Sequence, residues 1–176
     1  MKDKSLSITR RGFLGGVVGA VAHSTAQATN TEEQASCILN GKKEILTEHQ
    51  EQSALDFIRK DCGRTGAKKS CAQGVCGSCA ILVDGKVVNS CILPKSALKN
   101  KTVRTVEDIG RKELHPVQKA FLRNDALQCG YCTPGFVVEA VSFYNSWKET
   151  TIPTREEIAE ALCGHICRCG AYTNIY

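Results

Sequence analysis

Cys71-Ala-Gln-Gly-Val-Cys76-Gly-Ser-Cys79, with Cys91 following at a distance, is the stretch on which the reading of this chain turns. Three cysteines spaced C-x4-C-x2-C, with a fourth from a separate segment, match the plant-type [2Fe–2S] ligand arrangement. Such a cluster is small, and each iron takes two thiolates. One tight loop can supply three ligands only if its backbone comes close. Gly74 and Gly77 remove the Cβ atoms that would stand in the way. Backbone N–H groups of such a loop can hydrogen-bond the anionic sulfurs, which is one lever on reduction potential. Between Cys79 and Cys91 the chain reads Ala80-Ile-Leu-Val83, Asp84-Gly85, Lys86-Val-Val88. That pattern predicts a hairpin with an Asp-Gly turn, which would return Cys91 to the loop.

Cys129-Gly-Tyr-Cys132 and Cys167-Arg-Cys169 form a second set of four among the chain's eleven cysteines. Two quartets predict two clusters, and two clusters in a small chain point to a conductor of single electrons. Taken alone, C-x2-C with C-x-C also suits zinc, whereas the x4 gap of the first set fits a zinc ribbon poorly. A disulfide framework is the other alternative for an exported chain. An odd cysteine count and a glycine-rich three-cysteine loop argue against it. Cys37, Cys62 and Cys163 fall outside both quartets and read as small buried hydrophobes.

The 176-residue chain is 42% apolar with a net charge of +5. That length suits one domain or two small ones. Aromatic residues are few, so two cores would be thin, and clusters can staple thin cores as metals do. No run of like charge is long enough to suggest nucleic acid. The densest basic set, Lys95, Lys99, Lys101 and Arg104, is spaced and reads as a solvated face.

Arg10-Arg11 precede an apolar stretch, Gly12 to Ala22, with Ala26-Gln27-Ala28 as a cleavage site and Ala20-Val21-Ala22 as a second choice. The stretch is too short and glycine-rich to span a membrane. Paired arginines with Phe13 and Leu14 behind them fit a twin-arginine signal over residues 1–28; an ordinary Sec signal is the alternative. The twin-arginine route exports folded proteins, which a cluster protein requires because its clusters are inserted in the cytoplasm. The expected location is therefore the periplasm.

Residues 29–35 read as a linker. Cys37 to Leu39 and Glu44 to Leu46 flank Asn40-Gly41, a second hairpin signal. Ala54, Leu55, Phe57 and Ile58 give one apolar helical face over residues 53–60. With the cluster loop, its hairpin and a last strand over 102–106, these make a β-grasp, ferredoxin-like domain over residues 36–108. From His115 the signals are helical. Pro116 and Pro134 suit first helical positions, with Thr133 as a cap, and Thr154-Arg-Glu-Glu157 is a capping box with Ile158 and Leu162 behind it. Residues 109–176 are thus predicted as a small helical bundle, and the fold class as α+β. Cys129 and Cys132 lie just before the helix near Pro134, whose N-terminal partial positive charge suits an anionic cluster.

Four ordered motifs carry a family resemblance: residues 64–79 ending in Cys76-Gly-Ser-Cys79, His115-Pro-Val-Gln118, Gln128-Cys-Gly-Tyr-Cys-Thr-Pro-Gly135, and His165-Ile-Cys-Arg-Cys-Gly-Ala-Tyr172. Over residues 36–176 the chain resembles the small iron–sulfur subunit of molybdenum hydroxylases. With its arginine pair it looks most like the periplasmic aldehyde oxidoreductase branch. The resemblance implies a large molybdenum–pterin subunit as partner and an FAD subunit or haem acceptor beyond it. Electrons would run from the pterin side to the cluster of Cys129, Cys132, Cys167 and Cys169. From there they would pass to the cluster of Cys71, Cys76, Cys79 and Cys91. It also implies that Gln128 contacts the pterin, and that this chain holds no substrate site. Ser70 and His165 depart from the usual Gly and Asn, and His165 reads as a structural or solvent-facing histidine. The alternative function is a free-standing ferredoxin-like carrier, which needs neither Gln128 nor a docking face.

Overall fold

The two hairpin signals are realised at the atomic level in the computed structural model, which describes residues 34–47, 51–147 and 151–176. The arginine pair and residues 1–33 lie outside the described residues. Strands β1 (Ser36–Leu39) and β2 (Lys42–Ile45) pair antiparallel around Asn40 and Gly41, whose φ values are 51° and 80°. Strands β3 (Ala80–Val83) and β4 (Lys86–Asn89) do the same around Asp84 and Gly85, at φ 48° and 81°. Two positive φ angles in a row are what a two-residue hairpin turn demands, and Asn-Gly and Asp-Gly tolerate them best.

A short strand joins the hairpins. β5 (Thr102–Arg104) lies parallel to β1 and antiparallel to β3, giving the order β2-β1-β5-β3-β4. It is shorter than the predicted 102–106. Thr105, at its end, is fully buried and exchanges hydrogen bonds with Asn40 at 2.9 Å.

Strand β3 determines how the two halves of the chain meet. Successive side chains of a strand point to opposite faces, and Ala-Ile-Leu-Val is apolar throughout. Ile81 enters a core with Cys37, Leu39, Leu98 and Val103. Ala80 and Leu82 enter another, with Phe136, Val138, Val141 and Leu162. A strand buried on both faces reads as a continuous apolar run, and the described residues fall within one compact unit.

On the first face lies α1 (Ala54–Asp56), capped by Ser53, whose Oγ accepts from Asp56 N at 3.1 Å. It runs into a π-helical turn, Phe57–Asp61, rather than the uninterrupted helix predicted over 53–60. On the other face lies α3 (Thr133–Trp147), which begins at Thr133 itself; that residue is helical, not the predicted cap. α2 (Pro116–Arg123) opens on Pro116, and His115 with Gln118 forms its capping box. α4 (Arg155–Ala161) has the predicted box: Thr154 Oγ1 accepts from Glu157 N at 3.2 Å, and Glu157 Oε2 accepts from Thr154 N at 2.7 Å. α5 (Tyr172–Ile175) follows the last cysteines. No helix among the described residues is long and apolar enough to cross a membrane.

Of the basic set, Lys99, Lys101 and Arg104 are solvent-exposed as expected, and Lys95 alone is not. Lys95 is 5% exposed, donates to the Thr47 carbonyl at 2.6 Å and stands 5.9 Å over the Phe57 ring. Lys101 pairs with Asp84 at 2.8 Å, and Arg104 with Asp108 at 2.7 Å. Lysine stems bury readily when the ammonium finds an acceptor, and for Lys95 a carbonyl 48 residues away in the chain supplies it.

Candidate cluster sites

The first loop turns on left-handed residues: Ala72 at φ 56°, Gly74 at 76° and Gly77 at 69°. At Gly74 a Cβ would stand 2.7 Å from Ile92 Cδ1, so a side chain there would press on the segment that carries Cys91. The end of β4 pins the loop. Asn89 Nδ2 donates to the Gly74 carbonyl at 2.9 Å, and Ser90 Oγ donates to the Cys79 carbonyl at 2.6 Å. Gly74 N donates to Cys91 Sγ at 3.3 Å, and Gln73 N to Cys71 Sγ at 3.4 Å.

The four thiols meet as pairs. Cys71 interacts with Cys76, and Cys79 with Cys91, with Cys76 close enough to Cys79 to act on its charge. Among the described residues no group of three or more His, Cys, Asp or Glu converges as a single metal ion would require. Thiols that come together two by two suit two irons with two thiolates each. The residues therefore fit a [2Fe–2S] group, with N–H donors already aimed at two of the sulfurs.

Protonation differs along the set. The Gln73 N–H, helped by the Cys76 thiol and further loop amides, pulls the Cys71 pKa down to about 6. Burial pushes Cys79 up to about 11. Ligation needs thiolates, so cluster assembly must release protons from the buried members.

The second quartet repeats the scheme. Cys132 and Cys167 face inward and interact, while Cys129 and Cys169 are exposed. Burial pushes Cys132 up to about 12. Burial also raises Cys167, but the Ala171 N–H at 3.4 Å, the Cys132 thiol and the Cys169 and Gly170 amides together bring it below the ordinary thiol value. Tyr172 Oη accepts from Cys167 N at 2.8 Å, so the start of α5 fixes this loop. Cys132 stands one residue before α3, and its carbonyl accepts from Gly135 N at 3.0 Å. The helix N-terminus thus adjoins the quartet, as predicted.

The two loops touch each other. Ile166 N donates to the Cys76 carbonyl at 3.0 Å, and Tyr131 Oη donates to the Lys69 carbonyl at 2.6 Å. Gly135 of α3 lies against Gly77, where a Cβ would collide with the Gly77 carbonyl oxygen. One peptide and one hydrogen bond therefore connect Cys167 of one quartet to Cys76 of the other. Neither contact has a signal in the spacing, because each joins segments far apart in the chain.

His165 is buried between the loops. Its ring is tilted on Phe136 at 5.1 Å, and burial pushes its pKa down to about 4. Gln128 is exposed next to Cys129 in the chain, and Tyr131, Ile166 and Arg168 are also exposed. Of the extra cysteines, Cys37 is buried and Cys62 packs against the same core. Cys163 is exposed, which corrects its reading as a buried hydrophobe: it follows Leu162, whose side chain takes the inward position at the end of α4.

Comparison with known proteins agrees with this geometry. Residues 24–133 match the family model described as a 2Fe-2S iron-sulfur cluster binding domain, and residues 105–176 match the one described as a [2Fe-2S] binding domain. The chain is 40% identical over 137 residues to the nicotine 6-hydroxylase small subunit of Paenarthrobacter nicotinovorans, covering 78% of this chain and 81% of that one. It is 36% identical to the aldehyde oxidoreductase iron-sulfur-binding subunit PaoA of Escherichia coli, covering 78% and 66%. Among solved structures it superposes on quinoline 2-oxidoreductase from Pseudomonas putida 86 with TM-score 0.73 at 35% identity, covering 81% of this chain and 86% of that one. On aldehyde oxidoreductase from Desulfovibrio desulfuricans the TM-score is also 0.73, at 36% identity, with 81% of this chain and 16% of that one covered. By its two [2Fe–2S] domain matches and these relatives, the chain belongs to the family of iron–sulfur subunits of molybdenum hydroxylases.

Proposed function

We propose that this chain binds two [2Fe–2S] clusters and conducts single electrons between a molybdenum–pterin centre in a large partner subunit and an FAD subunit or other acceptor. Cys71, Cys76, Cys79 and Cys91 hold the first cluster; Cys129, Cys132, Cys167 and Cys169 hold the second. A cluster of this type, when bound, takes up and gives back one electron. The observation that carries the reading is the hydrogen bond from Ile166 N to the Cys76 carbonyl. It ties a ligand of each quartet into one short connection of covalent bonds and a single hydrogen bond.

The rest of the chain's part is positioning. Cys167 is buried and Cys132 half-buried, whereas Cys129 and Cys169 are exposed and the exposed Gln128 precedes Cys129 in the chain. That polarity supports electron entry at the exposed side of the second quartet, where the Gln128 amide offers donors and an acceptor to a polar ring system. The Cys76 and Cys79 thiols are buried, which keeps water from the inner side of the first quartet. Aldehydes are the substrate class proposed for the complex, supported by the likeness to an aldehyde oxidoreductase subunit. Export through the twin-arginine route is proposed from Arg10-Arg11 and the apolar stretch behind them.

The test is paramagnetic resonance of the reduced native protein. Two separable signals and about four irons are expected, from two irons in each cluster. Cys76→Ser should remove one signal and Cys132→Ser the other. A single signal in the wild type, or loss of both in either folded variant, would refute the two-cluster assignment.

A further inference from the structure

Buried donors in folded proteins almost always find acceptors, and His165 is an exception among the described residues. It is 6% exposed, and neither Nδ1 nor Nε2 has a hydrogen-bond partner. The Gly135 carbonyl faces the ring without closing a bond of good geometry. The ring edge is turned instead to the first cluster loop. A Cβ on Gly77 would stand 2.7 Å from both Cγ and Nε2, so the histidine occupies the space that a side chain at 77 would need. Gly77 lies between Cys76 and Cys79. The backbone beside the ring is fixed to the same loop, because Ile166 N donates to the Cys76 carbonyl at 3.0 Å.

We propose that His165 donates its ring N–H to the sulfur shell of the first cluster and thereby raises that cluster's reduction potential. The proposal rests on the cluster reading above. Thiolate and sulfide sulfurs accept hydrogen bonds and have no proton to give, which is the partner an orphaned ring N–H requires. Reduction adds a negative charge to the cluster, so a donor to its sulfurs favours the reduced form. A neutral imidazole supplies this donor without a fixed charge. His165 is then a positioning residue, with glycine at 77 as its structural counterpart.

The test uses the native complex. The signal lost in Cys76→Ser identifies the first cluster. Labelling the wild type with ¹⁵N-histidine should alter the nitrogen coupling seen by pulsed resonance on that reduced cluster. His165→Phe keeps a ring beside Phe136 and removes the donor. It should make the first cluster about tenfold harder to reduce, which is about 59 mV for one electron, and leave the second cluster's midpoint where it was. His165→Asn restores an N–H and should recover most of the shift. An unlabelled-like spectrum in the ¹⁵N-histidine protein would overturn the proposal, and so would an unmoved midpoint in a His165→Phe protein carrying both clusters. If His165→Phe does not fold, the labelling result decides alone. Absence of any cluster signal in the wild type would overturn the cluster reading itself, and this proposal with it.

Discussion

Two glycines of unlike kind determine how the cluster loops approach one another. Gly77 needs its positive φ of 69°, whereas Gly135 is an ordinary helical residue whose missing side chain makes room. A Cβ at 135 would meet the Gly77 carbonyl, and would stand 3.0 Å from Gly77 C and 3.1 Å from Ser78 Cα. All three obstacles are backbone, so no rotamer change relieves them. Replacing a helical glycine by alanine gains ~0.5–1 kcal/mol in propensity, but overpacking costs ~1–3 kcal/mol, and here the clash should win. Gly135→Ala is expected to lower the thermal midpoint and weaken the magnetic coupling between the two clusters. Gly164→Ala is the control, since nothing lies within 4 Å of a Cβ there. Equal stability of Gly135→Ala and the wild type would show that the loops do not depend on this close approach.

At the scale of the element, α3 carries a half-buried carboxylate that has no hydrogen bond or ion pair among the described residues to offset its burial. Glu139 is held above the ordinary glutamate value by burial alone. A raised folded-state pKa means that the fold favours the protonated form. That contribution is fully present below the unfolded pKa and is lost as pH rises through the raised one. At neutral pH the ionised group therefore works against folding. Glu139→Gln should be more stable than the wild type at pH 7, with the advantage vanishing below about pH 4, where the unfolded carboxyl is protonated too. Denaturation midpoints across this range check it, and a pH-independent difference would contradict the burial argument.

At the scale of the whole molecule, the predictions concern partners and address. Gln128→Ala removes an exposed amide next to Cys129 without touching a thiol. A satisfied interface hydrogen bond is worth ~1 kcal/mol net, and an unsatisfied partner costs ~1–3 kcal/mol. Both cluster signals are expected to persist while electron delivery from the molybdenum side slows or the complex loosens. The wild type should co-purify with a large molybdenum-containing subunit. A monomer with no molybdenum in its native extract would leave the free carrier standing. Changing Arg10 and Arg11 to Lys keeps the charge but should strand the protein, with its clusters, in the cytoplasm. An unchanged periplasmic yield would point to a Sec signal.

What could be read along the chain is what short-range chemistry governs. The Asn-Gly and Asp-Gly turns, the Thr154–Glu157 box and the C-x4-C-x2-C loop each depend on residues a few positions apart, so their spacing carries their geometry. The same locality made the two quartets and the helix beginning beside Cys132 visible in advance. Long-range packing decided the rest. The insertion of β5 between the hairpins, the two-faced burial of β3 and the meeting of the loops through Ile166 and Tyr131 all join distant segments. So do the burial of Lys95 and of His165, because whether a polar side chain is solvated depends on which neighbours fold over it. Cys37 and Cys163 make the contrast within one residue type. Nothing adjacent in the chain marks one thiol for the core and the other for solvent; a sheet face and a helix end assign them.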